Sequence, residues 1–193
     1  MDLGNRIAII GNAGGGKTTL ARTLARTLGL PVTHVDSIEY QSEWNETPVA
    51  ESDARLAEIA QGQYWIIEGF GSNSAIENRL ELADTAIHVD FPFWRHLWWV
   101  TKRQSKAYEG QRIELPENCP EFSLIFTREL VKFMWKVHRE KTPLFRKLMS
   151  MKQGQSGNAL VIRNPGELNS LLHVIEETKR AGTEERCGAG GDG

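Results

Sequence analysis

Eight residues near the N-terminus, Gly11-Asn12-Ala13-Gly14-Gly15-Gly16-Lys17-Thr18, put four glycines beside a lysine and a hydroxyl. Glycine lets the backbone take φ > 0 and come close to a ligand. Consecutive amides in such a loop converge into an anion nest. If a helix starts directly after it, unpaired first-turn N–H groups and the positive dipole end add to the same field. The spacing fits G-x-x-x-x-G-K-[ST], the P-loop pattern. The chemistry it can do is to grip a nucleoside triphosphate, with Lys17 on the β- and γ-phosphates and Thr18 on Mg²⁺. Gly11 to Thr19 form the candidate nucleotide-binding set.

Phosphoryl transfer also needs acids and cations. Two acids stand where apolar runs end. Asp36 follows Pro31-Val32-Thr33-His34-Val35, where it could contact metal-bound water or an acceptor hydroxyl. Glu68 follows Trp65-Ile66-Ile67 and precedes Gly69, a Walker B-like position for holding Mg²⁺. Asp90, after Ile87-His88-Val89, is a weaker candidate because Phe91-Pro92 follow it. Arg103 ends a tryptophan-rich stretch, and Arg128, Lys132, Lys136 and Arg139 recur at helical spacing on one face. Cations of this kind neutralise charge on a transferred phosphoryl group. Five histidines show no metal-ligand spacing and suggest no role.

The elements that must carry these residues can be laid out from pattern. Arg6–Ile10 reads as a buried strand, and Leu20, Leu24 and Leu28 mark one face of the helix after the loop, closed by Gly29. Strands are expected at 31–36, 63–68, 85–90 and 159–163. Helices are expected at 49–61, 74–83 (capped by Ser72 or Asn73), 93–108 and 121–151, the last bent near Pro143. A final helix is expected over 167–179. The aromatic cluster Phe91, Phe93, Trp94, Trp98 and Trp99 reads as core. Residues 37–48, 110–120 and 153–158 read as connecting segments, and 182–193 as a disordered tail. Strand–helix alternation repeated five times predicts an α/β fold, a parallel sheet with helices on both faces. Ligands in such sheets sit beyond the C-terminal strand ends, where the P-loop, Asp36, Glu68, Asp90 and Arg163 would meet.

Composition sets outer bounds. The 193 residues suffice for one domain, and the formal net charge is −2. Charge is uneven: residues 95–152 hold thirteen Lys and Arg against six Asp and Glu, a segment suited to phosphate. Cys119 and Cys187 form no disulfide framework, which favours a reducing, cytoplasmic setting. No apolar run reaches the roughly 18 residues of a membrane span.

With these residues in place, the chain resembles the adenylate-kinase-like branch of P-loop kinases, and more closely bacterial DNA-topology modulation (FlaR-related) proteins. The resemblance covers about residues 5–175. It rests on the P-loop, Leu28-Gly-Leu-Pro-Val-Thr-His-Val-Asp36, Tyr64-Trp-Ile-Ile-Glu-Gly-Phe70, Ala83-Asp-Thr-Ala-Ile-His-Val-Asp-Phe-Pro92 and Cys119-Pro-Glu121. It implies a P-loop NTPase three-layer sandwich with a five-stranded parallel sheet, like nucleoside-monophosphate kinases. One domain over 1–181 would carry an acceptor-side segment near 37–62 and a helical lid near 104–150. The implied activity moves the γ-phosphoryl group of ATP, with Mg²⁺, to a nucleotide or small hydroxyl acceptor. Arg103, Arg128 and Arg139 would clamp the phosphates, and Arg163-Asn164-Pro165 would flank adenine. Three positions depart from the family: Glu68 replaces an Asp, Phe70–Ser74 lacks an arginine suited to an acceptor phosphate, and Trp99 replaces the first of two arginines. A monomer or homodimer is expected.

The alternative function is a nucleotide-gated ATPase or regulatory protein whose basic segment contacts nucleic acid, although no DNA-reading motif is present. Such binding must weaken steeply with salt; no binding at low salt in a filter or anisotropy assay removes that alternative.

Overall fold

The computed structural model describes residues 2–40, 45–108, 124–154 and 158–188. Five strands form one parallel sheet: β1 (Arg6–Gly11), β2 (Val32–His34), β3 (Trp65–Glu68), β4 (Thr85–Val89) and β5 (Asn158–Ile162), in spatial order β2-β3-β1-β4-β5. β1 is central because its Ile7–Ile10 run is wholly buried. A strand apolar on both faces needs helices on both.

Alternation along β1 supplies the two layers. Ile7 and Ile9 face α1 (Lys17–Leu28) and α8 (Pro165–Gly188), packing with Leu20, Leu24, Leu168 and Ile175. Ala8 and Ile10 face α3 (Val49–Ala60), α4 (Asn73–Leu82) and α7 (Thr142–Gly154). Ala8 pairs across the strands with Ala86, and both share a cluster with the fully buried ring of Phe145. Small residues on the strands thus make room for a large one on the helix.

Several local signals act as expected. Gly29 takes φ 72° and donates its N–H to Ala25 O. The Ser72 hydroxyl accepts from Ala75 N and caps α4. Other expectations change. β2 stops at His34, and Val35–Glu39 form a short helix, α2, so Asp36 lies in a helical turn rather than at a strand end. Burial of Val35 turns the chain there, and Tyr40 N bonds back to Asp36 O. The expected long helix is divided: α6 (Leu124–Lys136), a π-helical turn (Val137–Lys141), then α7. The wide turn falls just before Pro143, which has no N–H to donate backward. α7 contributes Phe145 and Met149 to the core, so the last part of 104–150 is a sheet layer rather than a cover. α8 continues to Gly188, past the expected end at Lys179, and makes residues 182–188 helical. Residues 41–44 and the expected loop 110–120 lie outside the described residues.

The start of β1 is tied to that of β4 by Asp84. Its carboxylate accepts from Asn5 N and Arg6 N at 3.0 and 2.9 Å, and from Arg6 Nε and Nη2 at 3.0 and 2.6 Å. The Arg6 bond comes first among the causes that hold the Asp84 carboxyl below its ordinary value. A carboxylate so depressed stabilises the fold above its unfolded value near 4. That stability is lost as pH falls through the folded value. Asp84→Asn should therefore cost on the order of 1–2 kcal/mol at pH 7. In urea melts the gap from wild type should close progressively below about pH 4.

Candidate active site

The P-loop leaves β1 at Gly11 and ends at Gly16, the residue before α1. Gly11, Gly14 and Gly16 have φ of 142°, 71° and 79°. Two of them are also places of close approach. A Cβ on Gly11 would sit 2.5 Å from Val89 O, and one on Gly14 would sit 2.8 Å from both His96 O and Val100 Cγ2. The loop is therefore pressed between β4 and α5 (Phe93–Tyr108). Its shape is held from two sides. His96 Nδ1 meets Ala13 O at 2.9 Å, and Asn12 Nδ2 donates to Met134 O of α6 at 2.9 Å. Burial, and next the Lys17 charge, push His96 down to about 4, so the imidazole is neutral and can donate one N–H to Ala13.

In-register pairing of Ile9 with Glu68 brings the end of β3 beside the loop. Thr18 Oγ1 donates to Glu68 Oε1 at 2.9 Å, and His34 Nδ1 approaches the same oxygen at 2.7 Å. Burial pushes the Glu68 carboxyl up, but the His34 bond, the Lys17 charge and the Thr18 bond outweigh it and hold Glu68 below its ordinary value. A buried carboxylate kept ionised next to a hydroxyl is the oxygen donor pair a hard cation prefers. Thr18 and Glu68 thus fit Mg²⁺. Lys17 Nζ donates to Asn12 O at 3.0 Å and lies 5.4 Å from the centre of the Phe70 ring.

The structure thus assembles Gly11 to Thr19 and Glu68 as one site. Asp36 is exposed on α2 and acts on this region through its charge. Arg163 follows β5 at the rim of a cavity of about 810 Å³, together with Asp90 and Arg146. Its N–H is held by Glu167 Oε2 at 2.7 Å. Asp90 is engaged by Arg146 through two bonds of 2.7 and 3.0 Å, a structural tie to α7. Among the described residues, no hydrogen bond or ion pair joins Arg128 or Arg139 to the P-loop. Arg128 and Arg139 are exposed and make no hydrogen bond or ion pair among the described residues, and the Arg103 side chain lies outside them. Arg139 lies in the π turn, whereas Arg128, Lys132 and Lys136 lie on α6. Much of the basic segment has structural work. Lys132 pairs with Glu129, Lys141 donates to Asn73, and Lys152 closes α4 through Glu81 O and Ala83 O. The aromatic cluster is only partly core, with Phe91 buried and Trp94 and Trp98 exposed.

Three residues at the site have no sequence signal. His34 and His96 lack any metal spacing, and Arg79 sits in the last turn of α4. Arg79 is 1% exposed, donates from Nη2 to Gly69 O at 2.5 Å, and has Nε and Nη1 without a partner among the described residues. A second cavity, of about 180 Å³, opens between Glu39, Glu46, Ser52, Phe70, Phe133 and Lys141, at the meeting of the 37–62 segment with α6 and the π turn.

The fold recurs in solved kinases. A shikimate kinase from Acinetobacter baumannii, solved with shikimate, matches with TM-score 0.58 at 17% identity over 92% of this chain and 94% of its own. A gluconokinase from Sinorhizobium meliloti 1021 matches with TM-score 0.54 at 10% identity over 96% and 99%. A shikimate kinase from Bacteroides thetaiotaomicron gives 0.54 at 16% identity over 90% and 97%. At such identities the likeness establishes the fold, that of P-loop kinases. No protein-family model matches the sequence, and neither does any curated protein.

The packing of Gly14 against α5 yields a direct test. Gly14→Ala should weaken ATP binding by more than about tenfold through strain at φ > 0 and the clash with His96 O. Gly29→Ala, with the same φ but open space around it, should lose only stability. Isothermal titration with MgATP distinguishes the two.

Proposed function

We propose that this chain is an ATP-dependent phosphotransferase acting on a small hydroxyl-bearing acceptor. One observation carries it: a P-loop cradle at the start of α1 whose Thr18 hydroxyl meets the buried Glu68 carboxylate, beside a small cavity that shares Phe70 with Lys17. The P-loop amides and Lys17 bind the triphosphate and neutralise charge that grows on the γ-phosphoryl group. Thr18 and Glu68 would hold Mg²⁺, which when bound neutralises phosphate charge and orients it. His96 and Asn12 keep the loop in its binding shape, so little reorganisation accompanies the reaction. The acceptor enters from the 37–62 side, where α6 and the π turn limit access of water. Approach of Arg103, Arg128 and Arg139 to the phosphates would need a movement of the lid segment. Arg163-Asn164-Pro165 stands at the nucleotide's base end in this scheme.

The shikimate kinases and the gluconokinase are named for small hydroxylated substrates, which agrees with an acceptor of that size. Phe70–Ser74 supplies no arginine for a nucleotide phosphate, which weighs against a nucleoside monophosphate despite the resemblance to adenylate-kinase-like proteins. The closer likeness to topology modulation proteins rests on sequence segments alone.

Lys17→Ala should reduce ATP turnover at least about 100-fold, the scale for removing one charge-stabilising donor. ADP release from MgATP in a coupled assay measures it. Undiminished turnover in this variant would overturn the assignment.

A further inference from the structure

The smaller cavity limits what the acceptor can be. Its volume of about 180 Å³ equals roughly six waters at about 30 Å³ each. That is below the roughly 300–1,000 Å³ of sites that enclose drug-sized ligands, and a nucleoside monophosphate is of that larger size. Its lining also divides by chemistry. Phe70 and Phe133 present ring faces 5.9 Å apart at 59°. Glu39 and Glu46 present carboxylates, while among the described lining residues the one cation, Lys141, is tied to Asn73. Excess negative charge disfavours an anionic guest.

Behind the wall lies Arg79. A Cβ on Gly71, a lining residue, would come within 3.6 Å of its Nη1, one of the two buried donors without a partner. A buried donor left unpaired costs about 1–3 kcal/mol, a cost carried by the guanidinium behind this wall. Carboxylates that accept and aromatic faces beside them suit hydroxyl groups, which can donate to those carboxylates. No hydrogen bond or ion pair reaches the Glu39 carboxylate among the described residues. Burial first, then Asp36, Asp53 and Glu46, push Glu39 up to about 7, with Arg79 opposing. A group titrating there can take up a proton near neutrality.

Building on the phosphotransferase reading above, we propose that this cavity takes a small uncharged polyol as acceptor and that Glu39 receives the proton of the reacting hydroxyl. The hydroxyl oxygen forms a bond to the γ-phosphorus of ATP. The bond from that phosphorus to the β–γ bridging oxygen breaks, and its electron pair leaves with ADP. The hydroxyl proton passes to the Glu39 carboxylate and from there to water. Phe70 links the two sites, since it lines the cavity and lies under Lys17.

The test measures ADP release from MgATP by the full chain with glycerol, D-ribose, D-glucose or myo-inositol, against D-gluconate, AMP and GMP. At least one uncharged polyol should raise release tenfold or more. Glu39→Gln should lower the stimulated release by about 10²–10⁴-fold, the range for a general base. ATP affinity, titrated alongside, reports that the variant is folded. Phe133→Ala should raise KM for the polyol with little change in kcat. Stimulation by AMP, GMP or gluconate alone, or unaltered stimulated release in Glu39→Gln, overturns the proposal. If ATP binds in a Lys17-dependent way but no polyol stimulates, the polyol assignment fails and the phosphotransferase reading stands. If ATP does not bind, both fail.

Discussion

Everything at this site depends on the parallel pairing of β1 between β3 and β4. Gly11 pairs with Val89, and Ile9 pairs with Glu68. Those two registers put the P-loop, the buried carboxylate and the end of β4 at one edge of the sheet. A slip of one residue would turn Glu68 to the opposite face and separate it from Thr18. The contact at Gly11 is so close that no side chain fits against Val89 O. The loop's shape is therefore a consequence of sheet packing as much as of its glycines.

The second level of organisation is electrostatic. Acids and cations alternate through the site: Lys17, Glu68, His34, Asp36, Arg79, Glu39. Burial works against the charges of Glu68, His34, Arg79 and Glu39, and their neighbours decide which survive. Glu68 has three supporting groups and stays low. Glu39 has acids around it and only Arg79 to help, so it rises. Arg79 itself is lowered to about 10 by burial and remains charged. One buried arginine thus serves two carboxylate neighbourhoods, on the nucleotide side and on the cavity side.

The helices after α5 have divided duties. α6 reaches the P-loop through Met134 O and places Phe133 against Phe70. α7 is bound into the core by Phe145 and fixed at its exposed side by the Arg146–Asp90 pair. The π turn between them lets one continuous segment contact the site and then the sheet. Lys141, Arg146 and Lys152 brace this arrangement against α4 and the end of β4, while Arg128 and Arg139 stay exposed.

The sequence by itself determined the P-loop, the parallel α/β fold and the strand-end position of Glu68. These follow from local periodicity, glycine chemistry and apolar runs, and such signals are carried by residues close in the chain. Asp36 was misplaced by two residues because the burial of Val35, a tertiary contact with Gly69, decides where β2 ends. Helical spacing over 128–139 cannot show that a π turn begins at Val137. Only the tertiary structure decided the surroundings of His34, His96, Arg79 and Glu39. Their partners lie 34 residues away for His34, 83 for His96 and 10 for Arg79, and for Glu39 the surroundings come from separate elements. Folding alone sets the burial and neighbouring charge that give such side chains their chemistry.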